Sequence, residues 1–261
     1  MNTDPIIVGG FYRSGTSLFR RLLDAHSMIH CPPEIKLWRD MEQDYLDDPY
    51  AHLRLAKTLE VLPLSTDARF NAMGKAYVSL RQASLKVLNK TVWADKDPEN
   101  ARYLHHWKNV MGSNFRYIHV ARHPLDTLTS CIEANFVKTL PAQPELILHK
   151  WQDNCQAFLD FKKQNKQQCY VIHYEKLVSD PVAELKKVFS WLSLPFEEDV
   201  LATFSSSQRG FGIEDAKVGQ SKTVHQSSVM RWQRKFTEEQ AQKLMQPIEP
   251  CYKQLIEFSN L

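Results

Sequence analysis

The chain has 261 residues, of which 43% are hydrophobic and 24% charged, and its formal net charge is +3. This composition predicts a packed globular protein and excludes a disordered or fibrous one. The small net charge also argues against general nucleic-acid binding, which needs a concentrated basic face, but it suits an anionic ligand in a local basic pocket.

Targeting signals and cysteine usage indicate where the protein works. The opening residues MNTDPIIVGG lack a basic segment followed by a long apolar run, so we expect no secretory signal. No apolar run approaches the ~20 residues of a membrane span. The scattered cysteines form no CxxC pair and predict reduced, buried thiols in a cytoplasmic protein without a zinc site: Cys31, Cys131, Cys155, Cys169 and Cys251.

The first predicted elements form a strand–loop–helix unit. Ile6-Ile7-Val8 is a short apolar run that enters a turn at Gly9 and Gly10, which is typical of a buried strand. Residues 17–25 place leucine and phenylalanine side chains on one helical face. Residues 35–90 then carry apolar residues at helical spacing, which predicts a long helical insertion.

Three further strands alternate with helices along the rest of the chain. The strands are predicted at 91–94, 115–120 and 170–173. One helix is predicted to end near Trp107 and another to begin at Pro124, and three more are predicted at 144–163, 182–192 and 238–258. This alternation predicts a single α/β domain with a short parallel sheet flanked by helices. The stretch 205–228, rich in Ser, Gly, Gln and Lys, has the length of a functional loop.

The predicted strand ends carry charged side chains. In parallel sheets, ligands bind beyond the carboxyl ends of the strands. The residues that follow the four predicted strands include Arg13, Lys96, Arg122 and Tyr174. Because three of these four side chains are cationic, this edge of the sheet is predicted to bind an anion.

The segment GFYRSGTS, from Gly10 to Ser17, is similar to a Walker A phosphate loop with Thr16 in place of its lysine. A glycine turn that enters a helix presents backbone N–H groups to an anion. The hydroxyls of the segment and the guanidinium of Arg13 add further donors. Triphosphate chemistry is poorly supported, because the lysine and an acidic magnesium ligand are both missing. An ordinary capped turn without a ligand is also less favoured than an anion-binding loop.

Five segments in chain order resemble the PAPS-dependent sulfotransferases, where PAPS is 3′-phosphoadenosine-5′-phosphosulfate. They are RSGTSLFRRLLDAHSMIHCPPE from Arg13, DKDPEN from Asp95, HVARHPLDTLTS from His119, HYEKLVSDP from His173 and SKTVHQSSVMRW from Ser221. The resemblance is to the tyrosylprotein sulfotransferase branch and its bacterial relatives. It implies the P-loop-like sulfotransferase fold with a helical insertion. It also implies transfer of a sulfonate from PAPS to a hydroxyl, release of PAP (adenosine 3′,5′-bisphosphate), and no metal.

The same resemblance assigns cofactor-binding residues. The 5′-phosphosulfate is expected to bind at Arg13, Ser14, Gly15, Thr16 and Ser17. The 3′-phosphate is expected at Arg122 and Ser130, and a guanidinium suits this role because it donates two parallel hydrogen bonds. Tyr174 is expected to contact the nucleotide and Lys222 a cofactor phosphate. Ser221, or another serine of the same loop, is expected to contact the sulfonate. One departure is Ala134, where the similar branch has an arginine.

Three residues are expected to carry the chemistry. Glu34 matches the catalytic base of the family, since a carboxylate can take the proton of the attacking hydroxyl. Lys96 and Arg13 are expected to neutralise the charge on the sulfonate and the leaving oxygen. Glu34 can instead simply begin a helix, because Pro32-Pro33 precedes it where the family often has Gly-Glu. Alternative bases are His26, His30 and His123.

Two other functions remain compatible with the sequence. One is a P-loop kinase that uses ATP and magnesium, and the other is a nucleotide-binding module without acceptor chemistry. The motifs do not define the acceptor, so small-molecule, lipid, carbohydrate and peptide hydroxyls all stay open. We expect no nucleic-acid partner.

Overall fold

The computed structural model describes residues 4–42, 61–134, 142–205 and 223–258. Within these ranges, five strands form a parallel sheet in the order β2-β3-β1-β4-β5. The strands are β1 (Ile6–Gly9), β2 (Ile29–His30), β3 (Val92–Lys96), β4 (Arg116–Ala121) and β5 (Cys169–His173). Because β1 is central, the loop that follows it lies between the carboxyl ends of β3 and β4.

Helices cover both faces of this sheet. In chain order they are α1 (Thr16–Asp24), α2 (Leu37–Glu42), α3 (Thr66–Leu88), α4 (Leu104–Met111), α5 (Pro124–Glu133), α6 (Pro144–Gln164), α7 (Tyr174–Ser179), α8 (Pro181–Trp191), α9 (Asp199–Thr203), α10 (Glu238–Met245) and α11 (Glu249–Ile256). Short 3₁₀ turns occupy Lys166–Gln168 and Arg231–Arg234. None of the described helices combines the length and the apolar character that crossing a bilayer requires.

Successive residues of β1 belong to different cores. Ile7 packs into the core that α2 to α6, α10 and α11 share, whereas Ile6 and Val8 pack into the core with α1 and α7 to α9. This alternation follows from the pleat of the strand. Because helices bury both faces of the sheet, the short strands are nearly continuous apolar runs in the sequence. The predicted α/β fold is confirmed.

The strand boundaries differ from the prediction at two places. β2 was not predicted, since a strand of two residues leaves almost no sequence pattern. The second predicted strand, 91–94, extends to Lys96, because polar partners allow its charged end to be buried. Asp95 accepts hydrogen bonds from Tyr77 Oη at 2.7 Å and from Asn100 Nδ2 at 2.9 Å.

Tyr174 directly follows β5, as predicted, and is the first residue of α7. One predicted helix needs correction. The predicted helix 238–258 is broken between Met245 and Glu249, and Pro250 lies in the first turn of the second part, where its missing N–H costs no helical bond. In the predicted insertion, α2 and α3 are helical and residues 43–60 lie outside the described ranges. The five cysteines are buried and free, as predicted.

Candidate functional site

The loop between β1 and α1 has the backbone shape of an anion-binding nest. Arg13 and Gly15 have φ angles of +65° and +95°, and the N–H of Ser14 donates to the carbonyl of Phe11 at 3.1 Å. Alternating left- and right-handed residues turn successive N–H groups toward one side. Gly15 caps α1 without a side-chain hydrogen bond. The first N–H groups of α1 have no intrahelical partner and are therefore available to an anion.

Two glycines of this loop allow close contacts with neighbouring elements. A Cβ atom on Gly10 would lie 2.7 Å from the carbonyl oxygen of Val120 in β4. A Cβ atom on Gly15 would lie 2.4 Å from Cδ2 of Tyr174. The loop is thus packed between the end of β4 and the Tyr174 ring, which fixes where its N–H groups point.

Replacing Gly15 with alanine is expected to destabilise the fold more than the matched change Gly112→Ala. Both glycines have positive φ, which costs a non-glycine residue about 1–3 kcal/mol, but a Cβ atom at Gly112 meets nothing within 4 Å. The free energy of unfolding, measured with urea, checks this prediction. Equal losses for the two variants would show that Tyr174 does not restrict the loop.

Arg122 directly follows β4 and contacts the loop and the Tyr174 ring together. Its Nη1 donates to the carbonyl of Arg13 at 2.7 Å and its Nη2 to the carbonyl of Ser228 at 2.5 Å. The guanidinium carbon lies 4.6 Å from the centroid of the Tyr174 ring. Arg122 Nε is buried and has no hydrogen-bond partner among the described residues. One fixed donor of this guanidinium is therefore available to a further acceptor.

Ser130 and Arg13 connect the two predicted phosphate positions. Arg13 Nε donates to Ser130 Oγ at 3.0 Å, and Ser130 is 3% exposed on α5. Arg13 therefore contacts both residues predicted for the 3′-phosphate: Arg122 through its carbonyl oxygen and Ser130 through its guanidinium. The predicted residues Ser221 and Lys222 lie outside the described residues.

The segment after the long loop is attached to the first turn of α5. Asp126, which is 1% exposed, accepts hydrogen bonds from the N–H groups of Met230 at 2.8 Å and Trp232 at 3.0 Å. Between these two residues, Arg231 forms an ion pair with Glu133. Burial, and to a lesser degree the charge of Arg231, lowers the pKa of Arg122.

The position of Arg231 near α5 was not predicted from the sequence, although the residue belongs to the last quoted segment. Its partner Glu133 immediately precedes Ala134, the position where the similar branch has an arginine. The ion pair therefore brings a guanidinium to the same end of α5. Only the tertiary contact reveals this placement, because nearly a hundred residues separate the two partners in sequence.

A second part of the site is built around the last residue of β3. The Lys96 ammonium is fully buried, donates to Ser17 Oγ at 3.3 Å and forms an ion pair with Glu34. Lys36 Nζ lies 3.6 Å from the other carboxylate oxygen of Glu34. The structure thus places two of the predicted catalytic side chains in direct contact, next to the phosphate loop.

Acidic and aromatic groups extend this corner away from the loop. Tyr12 Oη donates to Glu99 Oε2 at 2.5 Å, and Arg39 contacts both side chains. Asp97 accepts from the N–H of Glu99 at 2.9 Å. Burial, followed by the charges of Glu34 and Glu99, raises the pKa of Asp97 to about 7. These residues, which the sequence did not single out, form a polar wall beside Glu34.

Two of the alternative histidine bases, His26 and His123, are hydrogen-bonded to other groups. His26 Nε2 lies 2.9 Å from the carbonyl of Pro195, and its Nδ1 accepts from the N–H of Met28 at 3.1 Å. His123 Nδ1 accepts from the N–H of Leu125 at 3.3 Å. Burial and the charge of Arg81 lower the pKa of His30. Of the four candidate bases, Glu34 is the one that the structure places in contact with Lys96.

Comparison with known proteins gives consistent matches. The model of a family described as "Sulfotransferase family" matches residues 5–198. Protein-tyrosine sulfotransferase A of Caenorhabditis elegans is 24% identical over 213 residues, which cover 76% of this chain and 52% of the relative. The sulfotransferase domain of the Synechococcus PCC 7002 olefin synthase has a TM-score of 0.69 at 21% identity, covering 98% of this chain and 95% of that domain.

A more distant structural match has a nucleotide bound. Mouse sulfotransferase SULT7A1, solved in complex with PAP, has a TM-score of 0.54 at 14% identity, covering 99% of this chain and 90% of that one. At such identities, the structural matches show the shared P-loop-like fold. The chain spans 30%, 52% and 46% of the lengths of curated relatives from Aquifex aeolicus, Caenorhabditis elegans and Drosophila melanogaster.

Proposed function

Because the chain belongs to the sulfotransferase family, we propose that it transfers a sulfonate group from PAPS to a hydroxyl acceptor and releases PAP. The observation that carries this proposal is the contact between the buried Lys96 and both Glu34 and Ser17 of the phosphate loop. A cation, a carboxylate and an anion-binding loop meet there at one edge of the sheet. Such an arrangement can hold a transferable anionic group next to a base.

In this proposal, the nest between β1 and α1 binds the 5′-phosphosulfate. Its N–H groups and the hydroxyls of Ser14, Thr16 and Ser17 supply donors, and Arg13 supplies positive charge.

Arg122 and Ser130 bind the 3′-phosphate, for which Arg122 Nε is an available donor. Tyr174, packed on Gly15 and under Arg122, separates the two phosphate positions.

The proposed reaction is an in-line displacement at sulfur. The acceptor oxygen forms a bond to sulfur while the bond from sulfur to the phosphate oxygen breaks, and Glu34 takes the hydroxyl proton. Lys96 and Arg13 stabilise the charge on the leaving oxygen, and donors of this kind are typically worth ~2.7–4 kcal/mol each. Lys96 is already hydrogen-bonded to Ser17 of the loop, which places its ammonium beside the proposed position of the transferring group.

The alternative of a magnesium-dependent kinase has less support from the same geometry. The Walker lysine is replaced by Thr16, and β3 ends in the cation Lys96 where a magnesium ligand would be useful. The nearby Asp95 is already bound by Tyr77 and Asn100. A non-catalytic nucleotide-binding module would not need the buried pair of Glu34 and Lys96. The proposed acceptor is a hydroxyl-bearing small molecule, lipid, carbohydrate or peptide.

Calorimetric titration with PAP, compared with ADP plus magnesium, tests the proposed cofactor. We expect PAP to bind and ADP–magnesium to bind far more weakly. Arg122→Gln should weaken PAP binding by roughly 10–150-fold, because hydrogen bonds to charged groups contribute about 1.5–3 kcal/mol. Arg116→Gln, at the opposite end of the same strand, is the matched control and should bind PAP like the wild type. Tight binding of ADP–magnesium without binding of PAP would refute the proposal.

A further inference from the structure

Three potential metal ligands converge between the end of α2 and the start of α4, outside the site described above. One ligand atom from each of Glu42, His105 and His106 lies within 4.8 Å of the other two. His106 Nε2 is 3.3 Å from Glu42 Oε1, and the two imidazole centroids are 3.8 Å apart. This cluster was not predictable from the sequence, since adjacent histidines and a distant glutamate match none of the usual zinc-ligand spacings.

Both imidazoles are held in place by neighbouring groups. The His106 ring is 7% exposed and packs on Trp38 at 5.0 Å and on Phe70 at 4.6 Å between centroids. The His105 ring is hydrogen-bonded to the main chain of Arg102. In known metal sites, a ligating histidine commonly donates its other ring N–H to a carbonyl oxygen, which leaves the second nitrogen free for the metal. The hydrogen bond of His105 to the main chain of Arg102 is consistent with such a role.

The chemistry of the three side chains selects a class of ion. Two imidazoles and one carboxylate suit zinc and similar transition-metal ions, whereas magnesium and calcium prefer oxygen ligands. Around a tetrahedral zinc with bonds of ~2.0–2.2 Å, ligand atoms lie about 3.3 Å apart. The separation of His106 Nε2 from Glu42 Oε1 already equals this value, and the ligand atom of His105 lies within 4.8 Å of both.

We propose that Glu42, His105 and His106 bind a divalent transition-metal ion of the zinc class and thereby tie the end of α2 to α4. A water molecule would complete the coordination. The same helix α2 carries Arg39, which contacts Tyr12 and Glu99 in the polar wall beside Glu34. The ion thus holds α2 in register with the wall and takes no part in sulfonate transfer. This inference is independent of the proposed function.

The full chain, stripped with a chelator, can be titrated with zinc chloride by calorimetry while its thermal midpoint is measured. We expect binding of one ion and a higher midpoint, and we expect cobalt chloride to give the visible absorption of a low-coordinate site. His105→Ala and Glu42→Gln should each weaken zinc binding at least about 100-fold, because even outer-shell partners are worth 10–100-fold. Both replaced side chains are exposed, so these variants should fold.

The matched control is His149→Ala, which removes an exposed histidine that is also paired with a carboxylate, on α6. This variant should bind zinc with wild-type affinity. Absence of zinc binding to the wild-type chain would overturn the proposal. So would wild-type affinity in both His105→Ala and Glu42→Gln, because the ion would then bind elsewhere, for example at the buried thiols.

Discussion

Replacing Glu34 with glutamine is expected to lower turnover by roughly 10²–10⁴-fold, the usual contribution of a general base. The amide keeps the size of the side chain but cannot take the proton of the attacking hydroxyl. The affinity for PAP should change little, because the nucleotide contacts proposed here come from the phosphate loop, Arg122 and Ser130. Release of PAP from PAPS, with an acceptor that the wild type uses, measures the effect.

The same variant separates the proposed enzyme from a nucleotide-binding module. Turnover close to that of the wild type would show that Glu34 is not the base. A parallel loss of PAP affinity and turnover would indicate instead that Glu34 acts by holding the nucleotide site together. Calorimetry with PAP on the same preparation distinguishes these two results.

Replacing Lys96 with methionine is expected to lower turnover by about 10²–10³-fold, since it removes a donor aimed at the charge that develops on the leaving oxygen. It should also reduce the free energy of unfolding, because Glu34 loses a buried partner; breaking such pairs typically costs about 3–5 kcal/mol. Lys36, 3.6 Å from Glu34, compensates part of this loss. Steady-state kinetics and urea unfolding measure the two effects.

Two variants control for this double role of Lys96. Lys36→Met also removes a cation from Glu34 but leaves the end of β3 unchanged, so it should affect turnover far less. The double variant Glu34→Gln/Lys96→Met should regain part of the lost stability and none of the turnover. Equal turnover for Lys36→Met and Lys96→Met would contradict the specific role of Lys96.

The proposed phosphate-binding residues could be predicted from the sequence for a physical reason. In a parallel sheet, the carboxyl ends of the strands meet at one edge, so residues after different strands converge without further information. Arg13 follows β1, Lys96 ends β3 and Arg122 follows β4. The hydrogen bonds of Arg122 to the Arg13 carbonyl and of Lys96 to Ser17 are consequences of that convergence.

The polar wall beside Glu34 could not be predicted from the sequence in the same way. Tyr12, Arg39 and Glu99 meet across separations of 27 and 87 residues, and no single stretch of sequence carries that pattern. Arg231 reaches Glu133 in the same manner, through packing of the returning chain on α5. The two-residue strand β2 was missed because edge pairing, and not its own composition, makes it a strand.

A crystal structure of the protein with PAP is the most direct test of the proposed site. We expect the 5′-phosphate on the N–H groups of the loop from Arg13 to Ser17, and the 3′-phosphate against Arg122 and Ser130. Lys96 and Glu34 should then face the open side of the 5′-phosphate, where the sulfonate and the acceptor must meet. A 3′-phosphate bound away from Arg122, or a 5′-phosphate that does not touch the loop, would contradict it.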